Sequence, residues 1–83
     1  MGFALRSTEA FDQQVVQWAG SMEQWDEIWF NFDHELINHP YIGTPVPNTY
    51  LRALPLETNP PLTVYYHINE PDQIINLVEI REV

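Results

Sequence analysis

The sequence predicts an α+β fold of β-α-α-β-β-β order, with an N-terminal helix hairpin packed on one face of a mostly antiparallel sheet. Two observations carry that expectation. Apolar residues recur at helical spacing between Phe11 and Leu36, and at strand spacing from Leu62 onward. Only Gly20 and Ser21 separate the two helical stretches, so the helices are expected to fold back on each other. At 83 residues the chain is long enough for one domain, 1–83, and too short for two cores.

Gly2 to Ser7 reads as a first strand with Phe3 and Leu5 on one face. Ser7-Thr8-Glu9 opens a helix, because a hydroxyl caps the first N–H groups and an acid suits the positive end of the dipole. Phe11, Val15 and Trp18 give that helix its apolar stripe, and Gly20 ends it. Ser21 with Gln24 makes a capping box for the second helix. Met22, Trp25, Trp29, Phe32 and Leu36 then recur at spacings of 3, 4, 3 and 4, until Asn38-His39-Pro40 stops the helix.

Pro40 to Asn48 holds three prolines and a glycine and reads as a loop, whose Tyr41, Ile42 and Val46 are expected either to pack over the sheet edge or to form a recognition loop. Thr49 to Leu54 is the next strand, and Glu57 to Pro61 a turn. Leu62 to Ile68 alternates, with Leu62, Val64, Tyr66 and Ile68 on one face and Thr63, Tyr65 and His67 on the other. Of the two adjacent tyrosines, Tyr66 is assigned to the core. Asn69 to Asp72 is a turn. Ile74 to Arg81 is the last strand, apolar on both faces in its first half and therefore placed inside the sheet.

Composition narrows the function. A hydrophobic share of 45% with 13% aromatics excludes a disordered chain. No apolar run is long enough to span a bilayer, and Met1 to Arg6 lacks a basic, apolar leader, so a cytoplasmic protein is expected. With no Cys there is neither a disulfide nor a cysteine nucleophile. The net charge is −9, from 12 acids against three arginines, Arg6, Arg52 and Arg81. That sign opposes binding to nucleic acid or to an anionic membrane and favours a basic protein segment or simple solubility.

Three groups of side chains are candidates for function. His67 lies beside Tyr65 on one strand face, where an imidazole titrates near neutral pH; the plainer account is a surface histidine on the uncovered side of the sheet. Asp33, His34, Glu35 and His39 are metal-ligand types in one short stretch, but Pro40 disturbs the helical spacing, and neither a metal nor a cofactor is expected. At about 100° per residue, Phe30 and Ile37 project together, about 110–130° from the centre of the apolar stripe. They lie among Glu23, Asp26 and Asp33, so the pair is either covered by its own chain or forms a docking patch for a partner or a second copy.

The early helix hairpin together with Tyr66-His67-Ile68-Asn69-Glu70 and Val78-Glu79-Ile80-Arg81 resembles the RelE/ParE superfamily, the toxins of bacterial toxin–antitoxin and plasmid-stabilisation systems. The resemblance implies a toxin-like fold whose hairpin and sheet are wrapped by an antitoxin segment. It also implies, for RNA-cleaving members, a strand arginine where this sequence has Thr63, and a catalytic residue in a tail beyond the last strand, whereas this sequence stops at Val83. Arg52, Arg81 and His67 are the weak catalytic candidates that stand in. Cleavage by 2′-hydroxyl attack needs a base, an acid and cations beside the developing phosphorane charge, which these three scarcely supply.

The expected function is therefore protein binding without nuclease activity, as in the gyrase-directed members of that family, with Phe30, Ile37, Asp26, Asp33 and Tyr65 at the partner surface. A residual ribosome-dependent endoribonuclease is one alternative. A standalone acidic interaction domain or homodimer is the other.

Overall fold

The computed structural model describes residues 3–20, 25–58 and 60–82. The elements run β1 (Ala4–Ser7), α1 (Glu9–Ala19), α2 (Trp25–Asn38), β2 (Thr44–Pro45), β3 (Arg52–Leu56), β4 (Leu62–Asn69) and β5 (Ile74–Glu82). The fold is α+β, with two helices and a five-stranded mixed sheet of order β1-β5-β4-β3-β2. β1 runs parallel to β5, and the other three neighbouring pairs are antiparallel. Among the described residues, no helix is long and apolar enough to cross a membrane.

Thr8 caps α1 as its sequence implies. Its extended backbone (φ −78°, ψ 160°) lets the hydroxyl accept from the Phe11 N–H at 3.1 Å. The same hydroxyl donates to the Val78 carbonyl at 3.3 Å, and Gln14 Oε1 accepts from the Ile80 N–H at 2.7 Å. These contacts have a structural reason. β1 stops at Ser7, opposite Leu77, and the capping Thr8 and Gln14 of α1 then take up backbone groups along the β5 edge that β1 leaves open.

The apolar stripe of α2 points inward: Trp25, Phe32 and Leu36 are buried and Trp29 is half-buried. Trp25 stacks on Trp29 at 5.7 Å and Trp29 on Phe32 at 5.0 Å, while Phe11 of α1 meets Trp29 at 5.6 Å. Phe11, Trp25, Phe32 and Leu36 share one buried cluster with Leu62, Val64, Tyr66, Ile75, Leu77 and Ile80 of the sheet. The capping box of Ser21 and Gln24, together with Met22, lies outside the described residues.

β4 alternates as expected, with Leu62, Val64 and Tyr66 all buried. β5 lies between β1 and β4, the interior position that its doubly apolar first half requires. A bulge between Tyr65 and Tyr66 leaves Val78 as the extra residue of β5.

The sheet corrects two expectations. It has five strands rather than four, because Thr44 and Pro45, inside the proline-rich loop, pair with Ala53 and Arg52. A proline is tolerated there because an edge strand leaves one side of its backbone unpaired. The strand expected over Thr49–Leu54 instead runs from Arg52 to Leu56. Thr49 belongs to a turn: its hydroxyl donates to the Val46 carbonyl at 2.9 Å and accepts from the Leu51 N–H at 3.0 Å. Asn48 supplies the positive φ of 63° in that turn. Pro55 fits within β3 because β2 pairs only as far as Ala53, which leaves the outer edge of residues 54–56 open.

Candidate functional site

Arg52 sits opposite Tyr66, where β3 meets the 40–43 loop. Its Nη1 donates to the Gly43 carbonyl at 2.7 Å and to the Tyr41 carbonyl at 3.2 Å, and its Cζ lies 5.0 Å from the centre of the Tyr41 ring. The Tyr41 hydroxyl donates to the Glu70 carboxylate. That hydrogen bond, more than partial burial, holds the phenol above its ordinary range, against the opposing pull of Arg52. Tyr50 and His67 border the same hollow of about 270 Å³, with their rings edge-on at 6.2 Å.

Arg81 lies elsewhere. Its Nε donates to Glu79 at 2.6 Å, and its guanidinium sits 5.6 Å over the Tyr65 ring. It is the register partner of Thr63, four residues along β4 from His67, or about 13 Å at strand rise. The structure thus brings Arg52 and His67 to one hollow and leaves Arg81 at the far end of the strand. Tyr41, named in the sequence only as part of the 40–48 loop, joins Glu70 and Tyr50 at this hollow, a grouping the sequence does not predict. Tyr41 and Glu70 are 29 residues apart, and no spacing pattern joins them.

On α2, Phe30 is 70% exposed and its ring stacks on His34 at 6.5 Å. Ile37 is half-buried and Asp26 exposed. Asp33 parts from the other ligand-type residues of its stretch, because it lies one turn beyond Trp29 and faces α1 and β1. His34, Glu35 and His39 border a separate hollow. Among the described residues, no three His, Asp or Glu side chains gather as metal ligands.

A smaller cavity of about 220 Å³ lies where β1, α1 and α2 meet. Its polar walls are Arg6, Ser7, Asp12 and Asp33. Ser7 donates to Asp12 at 2.5 Å. Asp33 Oδ1 is sealed from solvent and accepts no hydrogen bond, and burial pushes this carboxyl above its ordinary value. In sequence comparison no family model matches the chain, and no curated protein does. The functional reading therefore rests on side-chain chemistry.

Proposed function

We propose that the chain is a RelE/ParE-like protein of a toxin–antitoxin type system, its helices paired as a hairpin over the sheet, that acts by binding protein and does not cleave RNA. One observation carries this reading: the guanidinium groups of Arg52 and Arg81 are engaged within the chain, at separate places. Arg52 holds two loop carbonyls, and Arg81 pairs with Glu79. Phosphoryl transfer needs cations converging on one phosphate, and a net charge of −9 repels that phosphate before it arrives. The order of the elements, two helices between the first strand and the rest, also supports the reading.

The partner of matching chemistry is a segment rich in Lys and Arg, docking on the acidic α2 face with Phe30, Ile37 and Asp26, and with Tyr65 on the sheet. The test is co-expression with the product of the adjacent gene, alongside an RNA-cleavage assay on translating ribosomes. A stoichiometric complex and intact RNA are expected. Cleavage that disappears in both Arg52→Ala and Arg81→Ala overturns the proposal in favour of an endoribonuclease. The exposure of Phe30 also favours a second reading, pairing of two copies. It requires a dimer by light scattering that becomes a monomer in Phe30→Glu.

A further inference from the structure

Unpaired buried polar atoms are rare in folded chains, and each calls for a reason. Among the described residues, Asp33 Oδ1 is the one side-chain oxygen sealed from solvent without a hydrogen bond. Oδ1 itself is closed even to water, but Asp33 as a residue is only half-buried and borders the cavity between β1, α1 and α2. A donor in the cavity therefore meets the open part of the carboxyl rather than Oδ1. The apolar walls include Phe11, Val15, Trp29 and Leu77. The other acid of the wall, Asp12, already accepts from Ser7. Arg6 borders the cavity but forms no ion pair with Asp33.

We propose that this cavity receives one arginine side chain of the partner protein, with its guanidinium beside the Asp33 carboxyl and against the Trp29 ring. The inference rests on the protein-binding reading above and gives it an anchor. Size supports a single side chain: about 220 Å³ falls below the roughly 300 Å³ at which sites for drug-sized molecules begin. Chemistry supports a cation, because a half-buried carboxylate lacking a donor gains most from a charged one. Arginine is favoured over lysine because its guanidinium is planar, weakly hydrated and suited to aromatic walls, whereas an ammonium holds its water more tightly.

The test uses the whole chain and three probes, the N-acetyl amides of arginine, lysine and citrulline, followed by NMR at the Asp33 amide and the Trp29 indole N–H. The arginine probe is expected to shift both signals saturably, the lysine probe to bind more weakly, and the neutral citrulline probe to leave them in place. Asp33→Asn, which keeps the shape and removes the charge, weakens arginine binding about tenfold. Glu82→Gln removes an equal charge from an exposed site and leaves binding unchanged. Equal binding by wild type and Asp33→Asn overturns the proposal, as does equal binding of the lysine or citrulline probe. A partner that binds Asp33→Asn as well as wild type removes only this anchor. Absence of any protein partner removes the wider reading, while the probe titration still judges the cavity separately.

Discussion

Tyr66 and Asp33 both carry a polar oxygen into the interior, and the fold treats the two oppositely. The Tyr66 hydroxyl donates to the Pro40 carbonyl at 2.8 Å and accepts from the Gly43 N–H at 2.9 Å. Burial raises its pKa against the opposing pulls of the Gly43 hydrogen bond and Arg52, so it stays neutral. Asp33 has a sealed oxygen with no donor, beside a cavity. A buried group with both valences met fixes structure, and here it pins the 40–43 loop to the sheet. A half-buried group left unmet costs stability instead.

The sharpest way to break this contrast is at Gly43. A Cβ there would stand 2.5 Å from Tyr66 Oη and 2.9 Å from its ring, so Gly43→Ala must displace either the ring or the loop. We expect a loss of about 3 kcal/mol, at the upper end for overpacking, which lowers the melting temperature by roughly 10 °C or more. Tyr66→Phe asks a narrower question, because it keeps the ring and strands the Gly43 N–H and Pro40 carbonyl. A loss of about 1–2 kcal/mol is expected in denaturant titration, with faster hydrogen exchange at Gly43. If Tyr66→Phe is as stable as wild type, the two polar groups are not opposites.

The two sites also differ in how far the sequence announces them. Leu62, Val64 and Tyr66 alternate over a buried face, so the inward position of Tyr66 is legible, as is the interior place of β5 from Ile74, Ile75, Leu77 and Val78. The partners of Tyr66 are not legible, because Pro40 and Gly43 lie 26 and 23 residues away in a loop whose apolar residues suggest packing on the sheet but not which strand residue its backbone meets. Thr44 and Pro45 escape for a similar reason: two residues are too few to alternate, and proline argues against a strand. Helical angle alone groups Asp33 with the acids near Phe30. Its position in a cavity depends on β1 pairing parallel to β5, a contact between the two ends of the chain that no local pattern encodes.

The smallest expected effect tests the other half of the contrast, and it turns on pH. Burial lifts the Asp33 carboxyl above its ordinary value of 3.8, the value that the unfolded chain keeps. Between the two values the folded state holds the proton that the unfolded state has released, so stability falls as pH rises through that window and stays reduced above it. Below the unfolded value both states are protonated and the penalty is gone. Asp33→Asn removes the charge at every pH. It should therefore be more stable than wild type at pH 7, by less than about 1 kcal/mol because the carboxyl also reaches solvent. Thermal melts taken at falling pH should show the advantage shrinking and vanishing below about 3.8. The arginine probe should close the same gap at pH 7 by stabilising wild type alone. A variant less stable than wild type at neutral pH means that Arg6 or another donor already holds the carboxylate in solution, and then Asp33, like Tyr66, is a satisfied structural group.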